Sequence, residues 1–165
     1  MMIYIMRHGI ASEPNDPSLE EDRQRPLTDD GREKIEQIAR KLKKLAINPD
    51  LILSSPYVRA QQTASIVAKE FDLQKHIILS DLLQPAGTAD TIVNAVVENY
   101  LADELLIVGH EPCLGLLISF LAAANLDLAI NIKKGGVCCL STDDLRMERR
   151  AALEWLLPPK LLLKG

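Results

Sequence analysis

An apolar run from Met1 to Met6, with β-branched and aromatic members, passes directly into Arg7, His8 and Gly9. A strand that is apolar on both faces belongs inside a parallel sheet covered by helices above and below. In open sheets of that kind, ligands sit just beyond the carboxyl ends of the strands. The cation and the imidazole are therefore delivered to the place where such folds bind ligands, and Gly9 lets the backbone turn away closely. A strand that merely ends in polar surface residues has the same local pattern, so other stretches must decide.

Two further apolar runs end in the same manner. Leu51-Ile52-Leu53 leads into Ser54-Ser55-Pro56-Tyr57-Val58-Arg59-Ala60-Gln61-Gln62-Thr63-Ala64, and Leu105-Leu106-Ile107 leads into Val108-Gly109-His110-Glu111-Pro112. Helical spacing fills the intervals. Thr28 is a good N-cap with Asp29 and Asp30 in the first turn, and Ile35, Ile38, Ala39, Leu42 and Leu45 form the apolar stripe. Ser55 and Pro56 form a cap with proline in the first turn, before the stripe of Ala60, Thr63, Ala64, Val67, Ala68 and Phe71. Arg59 falls in that opening turn, near free backbone N–H groups that attract phosphate. Ile92, Val93, Val96, Val97 and Tyr100 mark a third helix, and Leu116, Leu117, Phe120 and Leu121 a fourth behind Pro112.

His76 to Leu79 makes a third short strand, with His76 as a surface residue. The segment from Asp81 to Thr88 is a loop, and the polar stretch from Glu13 to Arg25 is a longer one bordering the pocket. Val137 to Ser141 and Ala151 to Leu157 form an antiparallel hairpin around the turn at Asp143 and Asp144, and the Pro158-Pro159-Lys160 tail ends the fold. This alternation predicts an α/β protein, a three-layer α/β/α sandwich with a mostly parallel central sheet and an antiparallel C-terminal strand. At 165 residues, positions 1–165 form a single domain.

The formal charge of −4 argues against a nucleic-acid or membrane-surface role for the protein as a whole. Lys41, Lys43 and Lys44 are the solvated face of the first helix. Cys138 and Cys139 are neighbours on a strand, so their side chains take opposite faces and a disulfide between them would be strained. Reduced thiols and the absence of a targeting segment point to the cytoplasm. Cys113 lies three residues after His110, but no second ligand cluster accompanies it, so neither a metal nor any other cofactor is expected.

Two histidines and two arginines thus arrive from three strand ends. The planar fork of arginine suits phosphate, so Arg7 and Arg59 are candidates to hold a phosphoryl group. An attacking histidine must be unprotonated, and neighbouring cations favour that form. The order of RHG after the first strand, Leu27-Thr28-Asp29-Asp30-Gly31 before the first helix, SPxxRAxQTA after the next strand and a late strand ending in GH resembles the histidine phosphatase superfamily, also called phosphoglycerate-mutase-like, across nearly the whole chain. The spacing and short length look most like the SixA-type phosphohistidine phosphatases. The resemblance implies the same α/β/α architecture. It also implies that His8 is the nucleophile and is transiently phosphorylated, with Arg7, Gly9, Arg59 and His110 at the phosphoryl group and no cofactor.

Many ester-cleaving relatives carry a glutamate in the loop after the third strand, where this chain has Gln84. Glutamine cannot protonate a leaving group. An alkoxide needs that proton more than imidazole does, so the substitution favours P–N cleavage. Glu111 remains a possible proton donor beside His110, against its reading as a helix-start acid, and Asp81 and Asp90 lie near the loop. The interval from Phe71 to Ile77 is too short for a lid, which suits a histidine projecting from a folded protein better than a small sugar phosphate. The expected function is hydrolysis of protein phosphohistidine, with a phosphotransfer domain or phosphocarrier as partner, as the resemblance implies. The alternatives are a small phosphomonoesterase acting on a metabolite, or a non-catalytic module that binds phosphorylated proteins.

Overall fold

The computed structural model describes residues 1–13, 19–146 and 151–164. The opening apolar run becomes β1 (Met2–Arg7), followed in the chain by β2 (Leu51–Ser54), β3 (Ile77–Leu79), β4 (Glu104–Gly109), β5 (Val137–Ser141) and β6 (Ala152–Leu157). They form one sheet in the order β3-β2-β4-β1-β5-β6. β1, β2, β3 and β4 are mutually parallel, while β5 runs antiparallel to β1 and β6 antiparallel to β5. The architecture is the expected α/β/α sandwich, mostly parallel with antiparallel pairing at its C-terminal side.

Helices α1 (Leu19–Gln24), α2 (Asp29–Lys44), α3 (Val58–Phe71), α4 (Ala89–Asn99), α5 (Cys113–Ala123) and α6 (Pro159–Leu162) connect and flank the strands. The period-two alternation of a strand sorts the core into two layers. Ile3, Ile5, Leu105, Ile107, Cys138 and Leu140 face the layer formed with α4 and α5. Tyr4, Met6, Leu106, Val108 and Cys139 face the layer formed with α2, α3 and α6. Cys138 and Cys139 therefore lie on opposite faces, and both are buried free thiols. Continuous apolar sequence in β1 and β4 is what two covered faces require.

Thr28 caps α2 as expected, accepting from the Gly31 N–H at 3.0 Å. A Cβ at Gly31 would stand 2.1 Å from the Ile10 carbonyl oxygen, so only glycine lets the first turn of α2 close onto the segment after β1. Among the described residues no helix is long and apolar enough to cross a membrane.

Several local expectations need correction. Within the stretch expected to be a loop from Glu13 to Arg25, residues 14–18 lie outside the described ones, and Leu19–Gln24 forms α1, with Glu20, Glu21 and Asp22 in its first turn where the helix dipole favours acids. Pro56 does not enter a helical turn. The Ser55 N–H still donates to the Val108 carbonyl in sheet fashion at 2.9 Å, and α3 begins only at Val58. The stripe of α2 ends at Leu42, and Leu45 is 49% exposed past the helix end. His76 is exposed, but in a 3-10 turn ahead of β3. The proline tail continues into α6, whose Leu162 is buried in the core. The β5–β6 hairpin stands as expected, with residues 147–150 outside the described ones.

Candidate active site

Three strand ends converge. β1 delivers Arg7 and His8, the turn after β2 delivers Ser55, Tyr57 and then Arg59 on α3, and β4 delivers His110. The His8 N–H donates to the Gly109 carbonyl at 3.1 Å, so the two histidines leave adjacent parallel strands side by side. Their ring centroids are 5.0 Å apart. His8, Arg59 and His110 are all buried.

The hydrogen bonds of His8 set its tautomer. Nδ1 lies 2.7 Å from the Gly9 carbonyl oxygen, an atom that only accepts, so Nδ1 carries the hydrogen. Nε2 accepts from Arg59 Nε at 3.2 Å, which makes Nε2 the unprotonated nitrogen. Burial pushes the His8 imidazolium down to about 3. The Gly9 hydrogen bond opposes this, while the charges of Arg59, Arg7 and Lys134 add to it. Gly9 itself is committed to the scaffold: its N–H donates to Thr63 Oγ1 at 3.1 Å, and that hydroxyl donates to the Arg59 carbonyl at 2.7 Å. The Gly9 expected beside the phosphoryl group thus holds the ring of His8 through its carbonyl.

His110 is wired differently. Its Nε2 lies 2.8 Å from Ser55 Oγ, which also accepts from the Tyr57 N–H at 3.3 Å. Its Nδ1 is buried without a hydrogen-bond partner among the described residues, as is Arg7 Nε. Burial pushes His110 down to about 2, with His8, Arg59 and Arg7 adding and Asp22 opposing. Tyr57 packs on the ring of His110 with centroids 4.9 Å apart, and Arg59 and Arg23 lie over the same phenol at 5.1 and 5.7 Å.

Arg7 Nη1 donates to the Ile132 carbonyl at 2.8 Å, which anchors the guanidinium beside the loop leading to β5. Glu111 Oε1 accepts from the Ile132 N–H at 2.6 Å and Oε2 from the Gly115 N–H at 3.2 Å. Both oxygens of the possible proton donor thus hold that same loop against the start of α5.

Asp22, Arg23 and Arg25 of the α1 segment belong to the site and are not singled out by sequence reasoning. Asp22 accepts from Arg59 through its carbonyl at 2.6 Å and through Oδ2 at 3.0 Å, and from Arg25 through Oδ1 at 2.7 Å. Burial works to raise the Asp22 carboxyl, but the hydrogen bonds and charges of Arg25 and Arg59 outweigh it and hold the group below its usual range. Gln84 accepts from Arg23 at 3.4 Å and donates to Asp81 at 2.6 Å, which ties the expected acid position to the edge of the site. Asp22 and Arg25 fall within the stretch expected to border the pocket, but no local pattern marks the contact of Asp22 with Arg59, 37 residues away in sequence.

A neutral imidazole with one unprotonated nitrogen, which accepts from Arg59, lies among two guanidinium groups and a second imidazole, an arrangement chemically suited to binding a phosphoryl group. The chain belongs to the histidine phosphatase superfamily and is a phosphatase of its SixA-type members. The model of the histidine phosphatase superfamily (branch 1) matches residues 3–84. The phosphohistidine phosphatase SixA of Escherichia coli is 30% identical over 122 residues, which cover 72% of this chain and 73% of its own. An uncharacterised protein of Picosynechococcus is 33% identical over 96% of this chain and 100% of its own. Among solved structures, the protein histidine phosphatase SixA complexed with tungstate superposes with a TM-score of 0.84 at 24% identity, covering 98% of this chain and 99% of that one.

Proposed function

We propose that the protein hydrolyses phosphohistidine in a partner protein through a phosphorylated His8. The observation that carries this reading is the wiring of His8, with Nδ1–H held by the Gly9 carbonyl and Nε2 unprotonated. In the first step Nε2 attacks phosphorus, the Nε2–P bond forms and the bond from phosphorus to the substrate imidazole breaks. A substrate ring that is already protonated leaves as neutral histidine and needs no acid. In the second step water attacks phosphorus and His8 leaves. Its retained Nδ1–H makes it a neutral imidazole on departure as well, so neither half of the reaction calls on a general acid.

Arg7 and Arg59 bind the equatorial oxygens and offset the charge that spreads over them. The Ser55 hydroxyl donates to His110 Nε2, which leaves Nδ1–H of His110 as a donor to a phosphoryl oxygen. The engaged oxygens of Glu111 and the low-lying Asp22 carboxyl both argue against efficient ester cleavage, where an alkoxide must be protonated. The SixA relative of Escherichia coli carries the phosphohistidine phosphatase name, and the partner class is a histidine phosphotransfer domain or a phosphocarrier of the cytoplasm.

The test is steady-state phosphate release from a histidine-phosphorylated carrier protein and from a simple phosphate ester, by wild type and His8→Ala. We expect fast release from the carrier and slow release from the ester, with both lost in the variant by about 10⁴-fold or more. Acid-labile label on the wild-type protein alone marks the intermediate. Comparable rates on the two substrates would overturn the phosphohistidine assignment, and activity surviving in His8→Ala would overturn the mechanism.

A further inference from the structure

Beside the catalytic histidine, a cavity of about 540 Å³ opens between the segment after β1, the first half of α2, residues 133–135 and α6. The described residues that line it include five basic side chains, Arg7, Lys34, Lys133, Lys134 and Lys160, and no acidic one. The whole chain carries a net charge of −4, so this concentration of cations runs against the balance of the molecule. Lys133, Lys134 and Lys160 make no ion pair among the described residues, and Lys34 meets only Asp30, in an exposed pair at 2.8 Å that contributes little.

The floor of the cavity is apolar, with buried Ile35 and Ile38 beneath it. Gly135, at φ 78°, donates its N–H to the carbonyls of Arg7 and His8 at 3.0 and 3.1 Å. The lysine-bearing turn is thereby clamped to the residue that carries the nucleophile. Lys134 lies near enough for its charge to act on the His8 ring, and Arg7 belongs to both the phosphoryl site and the cavity. A substrate seated on His8 therefore has this basic, apolar-floored recess as its immediate neighbour.

We propose that the cavity docks an acidic segment of the phosphohistidine protein, adjoining its phosphorylated histidine, an assignment that rests on the function proposed above. Rim cations act on encounter and partner choice more than on the chemical step. Carboxylates on the partner pair with Lys133 and Lys160 at the rim, and an apolar side chain among them covers the isoleucine floor. This recess supplies partner selectivity at the edge of the phosphoryl site.

The experiment uses two synthetic phosphohistidine peptides that differ only in their flanks, one rich in Asp and Glu and the other in Lys. Wild type should favour the acidic peptide in kcat/KM by about tenfold, through KM, with the preference shrinking as salt is raised. Lys133→Glu/Lys160→Glu should reverse the preference while turning over the basic peptide at least as well as wild type. A misfolded variant cannot give that result. Equal turnover of the two peptides by wild type, or an unchanged ratio in the variant, would overturn the docking assignment while leaving the phosphohistidine reading in place. Failure of wild type to cleave either peptide would instead bring down that reading, and this assignment with it. Loss of activity towards a small bisphosphate ester in the variant, at an unchanged peptide ratio, would give the cavity to a second phosphate and also overturn it.

Discussion

The β1 end and the β4 end of the site each deliver a buried neutral histidine, yet the two are held in opposite ways. At the β1 end both ring nitrogens are engaged, Nδ1 by the Gly9 carbonyl and Nε2 by Arg59, and Thr63 backs the arrangement from α3. At the β4 end only Nε2 is engaged, by Ser55, and Nδ1 has no partner among the described residues. A nucleophile needs a fixed tautomer and one defined attacking atom. A group that steadies a phosphoryl oxygen needs a free hydrogen at the right place and nothing more. In the function proposed above, the same residue type takes two roles through its hydrogen bonds, since burial acts on both rings alike.

Removing the β4 histidine gives the largest test of that division. His110→Ala should lower kcat on a phosphohistidine protein by about 10²–10³-fold, the usual loss for one transition-state donor, while His8 still becomes phosphorylated in a slow single turnover. A complete absence of phosphoenzyme in His110→Ala would mean that the two histidines act as one unit, and the comparison would fail.

How much of this was legible beforehand follows from the range of each interaction. β1, β2 and β4 announce themselves because a strand covered on both faces must be apolar throughout, and the residues at their ends, Arg7, His8 and His110, come with them. Arg59 is legible from its place at the start of a helix. Asp22 was not, because its contact with Arg59 joins residues 37 apart in sequence, and nothing local to α1 specifies where that helix docks. Ser55 carried a misleading local signal. A serine before a proline looks like a helix cap, whereas the continuing sheet hydrogen bond to Val108 keeps it extended and turns its hydroxyl to His110. Thr63 was hidden by helical periodicity, which places it correctly on the buried face but cannot tell a packed methyl from a hydroxyl serving Gly9.

Those two hydroxyls give a matched pair of smaller effects. Thr63→Val removes the acceptor of the Gly9 N–H and leaves that buried donor unsatisfied, a loss of about 1–3 kcal/mol in stability with roughly a tenfold fall in kcat, restored by Thr63→Ser. Ser55→Ala leaves His110 Nε2 and the Tyr57 N–H without their partner and should lower kcat by a few-fold to about tenfold with a comparable loss of stability, restored by Ser55→Thr. Chemical denaturation alongside kinetics separates the two. If Ser55→Ala proved the more damaging in both measurements, the β4 histidine would be the more tightly specified of the pair.

The pH dependence should disturb activity least and stability visibly. In the folded protein burial pushes His8 down to about 3 and His110 down to about 2, against about 6.5 in an unfolded chain. Both folded values are depressed, so between these limits the unfolded chain binds the protons that the folded one refuses, and stability falls as pH drops below about 6.5. At pH 5 each histidine withdraws ~2 kcal/mol of stability relative to pH 8, whereas kcat/KM on a substrate of constant charge should carry no free-enzyme imidazole step between pH 5 and 8. Thermal melts of wild type, His8→Asn and His110→Asn across that range measure the first effect. Each variant should lose about half of the wild-type pH slope, because burial governs both rings whatever their hydrogen bonds. A slope carried almost wholly by one histidine would show that the wiring, and not the shared burial, sets the charge state of the site.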